Sequence, residues 1–240
     1  MTRHNVVFFC ESGAGMSSVI NMLAGSEVAP TSTGAMSCTF ESRGYWVNIR
    51  GSIFHLHDTP GLRQEDEGRF SKDRVIVQLF TLIKRLEDGV SLLVFVMRAC
   101  NSIRESTFSN WRLFQEVVCR SQVPTVIVIT GLEWEADMDD WWFNNKEVFR
   151  RYGISPDGIA CVTSARGRQR PSGVFAFQGK YDESKLKVEK LIRSTFLQSP
   201  WKMDTKWVNQ IRGAVGDLVG RCGMSREDAE ALVKRLEAVG

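Results

Sequence analysis

Apolar residues in this chain alternate between two patterns. Short continuous runs at Val6–Phe9, Val90–Met97 and Pro124–Thr130 are typical of parallel strands that are buried on both faces. Between such runs, apolar residues recur every three or four positions, as in an amphipathic helix, and residues 71–86 are the clearest case. Strands that alternate with helices in this way indicate an α/β fold.

The pattern predicts a doubly wound, mostly parallel sheet of six strands with helices on both faces. The predicted strands are Val6–Phe9, Thr39–Ile49, Ser52–His57, Val90–Met97, Pro124–Thr130 and Ile159–Thr163. The predicted helices are Ser17–Leu23, Ser71–Leu86, Ile103–Cys119, Asp139–Tyr152 and Glu183–Phe196. A hairpin around Arg50-Gly51 supplies the one antiparallel pair. Because ligands of such sheets bind at the carboxyl ends of the strands, the loops at those ends are the candidate functional segments.

The pattern changes after Pro200, which predicts two units: residues 1–199 as the α/β domain and residues 200–240 as a helical C-terminal extension. The segment Ser225–Asp228 has the form of a capping box and predicts a last helix that runs to Val239. We expect this extension to dock on the domain, with a dimer or interaction helix as the alternative. Arg166–Gly179, rich in Arg, Gly, Gln and Pro, is the best candidate for a mobile loop.

Composition narrows the class of protein. The 240 residues carry a formal net charge of +3, which is too small to indicate a nucleic-acid or membrane-surface partner. We expect neither a signal peptide nor a transmembrane segment, because the first predicted strand begins almost at once and no apolar run reaches 18 residues. The six cysteines are scattered without a C-x-x-C pair, which predicts reduced thiols in a cytoplasmic protein.

A glycine-rich turn joins the first predicted strand to the first predicted helix. Residues 10–17 read Cys-Glu-Ser-Gly-Ala-Gly-Met-Ser, which is a phosphate-binding P-loop, G-x-x-x-x-G-K-[ST], with Cys10 at the first glycine and Met16 at the lysine. Such a turn places backbone N–H groups around an anion at the positive end of a helix dipole. The predicted phosphate-binding residues are Glu11, Ser12, Gly13, Ala14, Gly15, Met16, Ser17 and Ser18. The hydroxyl of Ser17 is predicted to face a Mg²⁺ ion.

Met16 is the largest departure from this motif. The missing lysine removes one charge-assisted hydrogen bond, which corresponds to about a ten- to hundredfold loss in nucleotide affinity. The backbone cradle and the metal ligand remain. Cys10 is a smaller change, because the first glycine mainly accommodates the backbone.

Three further motifs follow predicted strands. In Asp58-Thr-Pro-Gly61, the carboxylate is suited to a Mg²⁺-bound water, and the Gly61 N–H is suited to a γ-phosphate. Residues 130–133 resemble the base-reading sequence [N/T]-K-x-D, with glycine in place of the lysine and glutamate in place of the aspartate. The segment 161–165 resembles a small-residue loop that meets guanine O6. The predicted guanine-binding residues are Thr130, Gly131, Glu133, Trp134, Ser164 and Ala165. The lysine of the motif covers the base with its apolar stem, and Trp134 is a candidate to stack on the base in its place.

With these motifs, and with the stretch E-S-G-A-G-x-S-S-x-I-N-x-L-x-G at residues 11–25, the chain resembles the Ras-like P-loop GTPases of the translation-factor-related class. It is similar to their septin, AIG-type and Era-like branches and to fungal G-domain-containing proteins, over roughly residues 4–197. The resemblance implies binding of GTP or GDP with Mg²⁺ as cofactor. It implies Ser17, Thr39 and Asp58 as metal ligands, with Thr31 and Thr33 as alternatives to Thr39.

The resemblance also implies a catalytic set, namely Thr39, Gly61 and Arg63. Leu62 stands where Ras-type enzymes carry the glutamine that positions water, so another group must orient it. Arg63 is a candidate internal arginine finger that restores the charge missing at Met16; a solvated switch-region arginine is the alternative.

Two functions remain open at this point. The first is a slow, Mg²⁺-dependent GTPase that works without the P-loop lysine, with an ATPase as a variant if Glu133 does not face the base. The second is a non-catalytic pseudo-GTPase that serves as a scaffold or interaction protein. The expected partners are a guanine nucleotide and an effector protein or a second copy of the chain, through the G domain or the C-terminal helices, with no nucleic acid.

Overall fold

One six-stranded sheet organises the chain. The computed structural model describes residues 3–11, 13–31, 42–59, 71–100, 103–203, 214–220 and 222–239. The strands are β1 His4–Cys10, β2 Arg43–Ile49, β3 Ser52–Asp58, β4 Leu92–Arg98, β5 Thr125–Thr130 and β6 Gly158–Cys161. The helices are α1 Met16–Ala24, α2 Ser71–Arg85, α3 Glu105–Arg112 with a π-helical continuation Leu113–Val118, α4 Asp140–Arg151, α5 Gln178–Thr195, α6 Ala214–Gly220 and α7 Arg226–Val239.

The strand order is β2-β3-β1-β4-β5-β6. Every neighbouring pair is parallel except β2 with β3, which is antiparallel. The prediction of a doubly wound, mostly parallel α/β sheet of six strands with one antiparallel edge is therefore confirmed.

Local sequence explains these strands. All residues of β5 are buried, as are Leu92–Met97 of β4, and their continuous apolar runs match strands covered on both faces. The edge hairpin turns at Arg50 and Gly51, whose φ angles are 50° and 87°. Two successive positive φ angles are those of a type I′ turn, whose twist suits a two-residue hairpin loop.

Helices cover both faces of the sheet. On one face, α1 and α5 pack over the alternate residues Val6, Phe8 and Cys10 of β1. On the other face, Val7 and Phe9 lie in a second core cluster with α2, α3, α4 and the two C-terminal helices. This arrangement leaves the carboxyl ends of β1, β3, β4, β5 and β6 along one edge of the sheet, where the candidate loops begin.

Some bounds differ from prediction. Helix α5 begins at Gln178 rather than Glu183, because Tyr181 contributes to the core and Ser184 Oγ donates to Lys180 O at 2.7 Å. The preceding segment, predicted to be a mobile loop, forms a hydrogen-bonded hairpin in which Arg170 N donates to Val174 O at 2.9 Å. Strand β6 ends at Cys161 rather than Thr163.

The C-terminal segment contains the predicted last helix. Ser225 Oγ accepts from Asp228 N at 3.1 Å and donates to Asp228 Oδ2 at 2.6 Å, which confirms the capping box. The apolar face of α7 joins the core cluster that includes α2. At the start of this segment, Trp201 pairs with Val90 through backbone hydrogen bonds of 2.7 and 2.9 Å. The contacts of α7 with the core match the expected docking of the extension on the domain, while the division at residue 199 stays a prediction.

Truncating Leu232 should show how much this docking stabilises the protein. Its side chain is fully buried in the cluster that α7 shares with α2. Leu232→Ala should therefore lower the free energy of unfolding by about 2–5 kcal/mol, from lost burial and the cavity left behind. Urea unfolding measures this change, with Lys234→Ala, at an exposed position of the same helix, as the control. A loss no larger than that of the control would contradict the docked arrangement.

Within the described part of the chain, no helix has both the length and the apolar character needed to cross a bilayer.

Candidate functional site

The loop after β1 has the backbone of an anion cradle. Gly13 and Gly15 adopt φ angles of 82° and 85°, which L side chains rarely adopt. Ala14 N donates to Glu11 O at 3.1 Å, closing the turn, and α1 begins at Met16 without a side-chain cap. Uncapped N–H groups at a helix start are suited to a phosphate.

Cys10 fits this loop without strain. It is the last residue of β1, and positive φ angles in the loop occur only at the two glycines among its described residues. Its thiol is buried, and burial, with smaller contributions from the charges of Asp58 and Glu11, raises its pKa far above the usual range. The thiol therefore stays protonated and unreactive at neutral pH.

Met16 faces the core, a placement that the motif alone does not reveal. Its side chain is only 5% exposed and belongs to the apolar cluster under α1 and α5. The same cluster contains Phe8 of β1 and Val94 of β4. The lysine position of the loop is thus filled by an apolar group in apolar surroundings.

Two polar side chains, those of Ser17 and Asp58, meet beside the loop. Ser17 Oγ, in the first turn of α1, donates to Asp58 Oδ2 at 3.1 Å, and Asp58 is fully buried at the end of β3. The next residue, Thr59, donates its hydroxyl to Phe8 O at 2.7 Å, which ties the chain after β3 to β1. The parallel register of β1 with β3 therefore brings together two residues that are distant in sequence.

The loops after β5 and β6 close on the P-loop. Thr130 Oγ1 donates to Ala14 O at 2.7 Å. A Cβ atom added to Gly15 would lie 3.4 Å from Ser164 Oγ and 3.7 Å from Thr130 Oγ1. Thr130 and Ser164 therefore lie close to Gly15, where the φ of 85° favours glycine, and three predicted segments of the site converge at this edge of the sheet.

Glu133 is held by a residue that sequence analysis did not single out. Thr163 Oγ1 lies 3.2 Å from two acceptors, Glu133 Oε2 and Ala165 O, and accepts from Ala165 N at 3.2 Å, so it links the two predicted guanine-binding loops. Lys180 Nζ, from α5, donates to the carbonyl oxygens of Glu133 and Glu135. Thr163 is buried two residues after the end of β6, and this burial is a signal that appears only in three dimensions.

Trp134 lies at the rim of the site. Its side chain is 83% exposed, and its ring packs edge to face on Phe177 with centroids 4.9 Å apart. Stacking of Trp134 on a base stays a prediction.

A cavity of about 380 Å³ opens beside α1. Ser18, Asn21 and Ser164 line one part of it, and Arg166 and Tyr181 line another. The Arg166 guanidinium lies 4.7 Å from the centroid of the Tyr181 ring, so a stacked cation borders the cavity. The volume is in the range of small-molecule sites. The sequence around Arg166 predicted a mobile loop and gave no sign of this wall.

Four predicted site residues, Ser12, Thr39, Gly61 and Arg63, lie outside the described residues. Of the alternatives to Thr39, Thr33 also lies outside them, whereas Thr31 is described and borders the cavity.

A family model matches the sequence, and solved structures match the fold. The family model described as 50S ribosome-binding GTPase matches residues 5–130. No curated protein matches the chain at a significant level. Among solved structures, Era of Aquifex aeolicus bound to GDP·AlF4⁻ is 13% identical, with a TM-score of 0.55 over 91% of this chain and 68% of that chain.

Two structures of Toc33 from Arabidopsis thaliana are also similar. A dimerisation-deficient variant is 14% identical, with a TM-score of 0.55 over 82% of this chain and 87% of that chain. Toc33 in complex with GDP and Mg²⁺ is 14% identical, with a TM-score of 0.53 over 83% of this chain and 88% of that chain. At these identities the structures establish the fold, and the family model covers more than half of the sequence. The chain is therefore a P-loop G domain that belongs to the family described as 50S ribosome-binding GTPase.

Proposed function

We propose that this protein binds GTP and GDP together with Mg²⁺ and hydrolyses GTP slowly, without a P-loop lysine. The observation that carries the proposal is the 3.1 Å approach of Ser17 Oγ to Asp58 Oδ2 beside an uncapped helix start. A domain that only provided a binding surface would not require a hydroxyl and a buried carboxylate to meet at this point.

The two oxygens fit a magnesium site. Mg²⁺ prefers oxygen ligands in an octahedral arrangement at about 2.1 Å, in which neighbouring ligands lie about 3.0 Å apart. The separation of 3.1 Å between Ser17 Oγ and Asp58 Oδ2 is close to this value. Ser17 would bind the ion directly, and Asp58 would bind it or a water attached to it. When bound, the ion would neutralise charge on the phosphates.

Phosphate binding would fall mainly to the backbone. Residues 11–18 supply N–H groups at the start of α1, and the conformations of Gly13 and Gly15 support that assignment. Met16 adds no charge, so the ion and a cation from elsewhere in the chain must balance the phosphates. Arg63 remains our candidate for that cation. Thr39 and the Gly61 N–H would complete the contacts to the γ-phosphate.

Guanine recognition would fall to the loops after β5 and β6. Guanine presents two paired donors, N1–H and the 2-amino group, which match a carboxylate held in one orientation. The hydrogen bond from Thr163 provides such an orientation for Glu133. The Ala165 N–H, close to Ser164, would meet guanine O6.

The structural relatives support a nucleotide ligand. The Era structure holds GDP·AlF4⁻ and the Toc33 structure holds GDP and Mg²⁺, and this chain shares their fold. We propose the same ligand class here. A second copy of the chain or an effector protein is the partner we propose, and the Toc33 variant described as dimerisation-deficient makes a homodimer the first to test.

We also propose the domain division at residue 199 and a location in the cytoplasm. Cys10, Cys119 and Cys161 are buried thiols outside any disulfide, which suits a reducing compartment.

The alternative is a pseudo-GTPase that acts as a scaffold. Its support is Met16, whose side chain packs in the core rather than adding charge to the loop. Titration of purified protein with GDP and GTP, with and without Mg²⁺, together with phosphate release, separates the two functions. Mg²⁺-dependent binding with slow phosphate release supports the GTPase. Absence of nucleotide binding would leave the scaffold as the function.

Replacing Glu133 tests base recognition. Glu133→Ala should weaken GTP binding by about 10- to 100-fold, because the paired donors of guanine lose their acceptor, and should leave the weaker ATP binding nearly unchanged. Competition titrations with both nucleotides measure this. Glu135→Ala is the matched control, since its side chain is exposed and Lys180 contacts only its backbone. Equal affinity of the parent protein for ATP and GTP would contradict the assignment and favour an ATPase.

A further inference from the structure

Arg98 lies against the backbone of Gly131, where the base-reading loop has no side chain. Gly131 adopts a φ of 85°, and a Cβ atom added to it would lie 3.2 Å from Arg98 Cγ, 3.4 Å from Nε and 3.5 Å from Cζ. Both the stem and the guanidinium of Arg98 therefore border the space that a side chain at position 131 would enter. A Cβ atom at 131 would require Arg98 to shift by a few tenths of an ångström.

The sheet explains this placement. Arg98 is the last residue of β4 and stands opposite Thr130 in the parallel register with β5. The next residue, Ala99, donates its N–H to Thr130 O at 2.8 Å, so the two strand ends are fixed to each other. Arg98 thus leaves the sheet at its carboxyl edge, beside the first residue of the loop that follows β5.

The same point of the fold borders the P-loop. Thr130 donates to Ala14 O, and its hydroxyl lies within 3.7 Å of a Cβ atom added to Gly15. Arg98 is exposed, and among the described residues it forms no ion pair. A planar cation is therefore available to a ligand at the junction of the P-loop and the Glu133 loop.

A nucleotide base in this site would present a face as well as an edge. An edge bonded to Glu133 leaves the two flat faces of the purine to neighbouring side chains, and residue 131 lies only two positions before Glu133. A guanidinium is planar and weakly hydrated, and it stacks well on aromatic faces. Glycine at 131 offers the base no side chain, whereas the neighbouring Arg98 offers both a stem and a flat cation.

We propose that Arg98 is a nucleotide-binding residue that covers one face of the purine base. The inference rests on the proposed nucleotide binding and adds a contact from β4 to it. Because every purine has a π face, Arg98 should strengthen the binding of guanine and adenine nucleotides alike, whereas Glu133 should distinguish between them. Loss of Arg98 and loss of Glu133 should therefore change the affinities for guanine and adenine nucleotides in different ways.

Replacing Arg98 tests the proposal. Arg98→Ala should raise the dissociation constants of GDP and ADP by the same factor, roughly 3- to 30-fold, as expected for loss of a cation–π contact. GMP should show the same factor, because the contact is with the base. Fluorescence competition on the purified full chain gives all three constants. Arg151→Ala, at an exposed position of α4, is the matched control and should change none of them.

Each other outcome has a defined meaning. A dissociation constant for GDP within twofold of the parent value would overturn the inference and leave the proposed function intact. A loss seen with GDP and absent with GMP would also overturn it, since Arg98 would then contact a phosphate. A lower melting temperature with unchanged affinities would assign Arg98 a purely structural role and overturn it too. If the parent protein binds no nucleotide, the proposed function itself fails.

Discussion

Replacing Asp58 by asparagine should abolish the Mg²⁺ dependence of nucleotide binding and reduce GTP hydrolysis by about 100-fold or more, because a bound metal contributes several kcal/mol of charge stabilisation. Asparagine keeps the shape of the fully buried side chain at the end of β3 but removes its charge. GDP binding without Mg²⁺ should change little, since the backbone of residues 11–18 is untouched. Titration at several Mg²⁺ concentrations, with single-turnover phosphate release, measures both effects.

Ser17→Ala is the partner variant. It removes the hydroxyl that lies 3.1 Å from Asp58 Oδ2 and should weaken GTP and GDP binding only when Mg²⁺ is present. The control for Asp58→Asn is Glu87→Gln, at an exposed position after α2. It removes the same charge at a place away from the site. If both site variants bind nucleotide like the parent at every Mg²⁺ concentration, the loop holds no metal and the scaffold function is favoured.

Restoring the P-loop lysine should fail to improve the protein. Met16→Lys places an ammonium group in a position that is 5% exposed and surrounded by apolar side chains. We expect a loss of stability of several kcal/mol, since an uncompensated buried charge is strongly destabilising, and no gain in GDP affinity or hydrolysis. Thermal or urea unfolding and GDP titration measure the two effects. Met16→Leu conserves apolar volume and should cost less than about 1.5 kcal/mol.

The opposite result would change the proposal. If the lysine reaches the phosphates, Met16→Lys should raise GDP affinity by about tenfold or more, the value of one charge-assisted hydrogen bond. Such a rescue, together with an Arg63→Ala variant that hydrolyses GTP like the parent, would indicate a decayed GTPase. Reduced hydrolysis in Arg63→Ala with little change in GDP affinity would instead indicate that Arg63 supplies the missing charge.

Local patterns were sufficient for the framework of the fold. The continuous apolar runs of β1, β4 and β5 marked three strands that are adjacent in the sheet. Turn and cap chemistry marked the hairpin at Arg50-Gly51 and the start of α7 at Ser225. These features depend on residues close in sequence, whose conformational preferences act before any tertiary contact forms.

Element bounds were less secure. Helix α5 begins at Gln178, whereas its predicted start is Glu183. Packing of Tyr181 in the core extends the helix through a segment that contains Gly179. The helix propensities of the residues do not include the energy of packing Tyr181 in the core. Core packing can outweigh the roughly 1 kcal/mol that a glycine costs in a helix.

Sequence patterns predicted which loops form the candidate site. Glycines 13 and 15, Ser17, Asp58 and the segments at 130 and 164 follow or link predicted strands, and a parallel sheet brings such loops to one edge. The surroundings of these loops come from long-range packing. It directed Met16 into the core, set Thr163 against Glu133, and laid Arg98 along Gly131. These contacts join residues about 30 positions or more apart, or depend on burial, and so they are set by strand register and packing rather than by local preference.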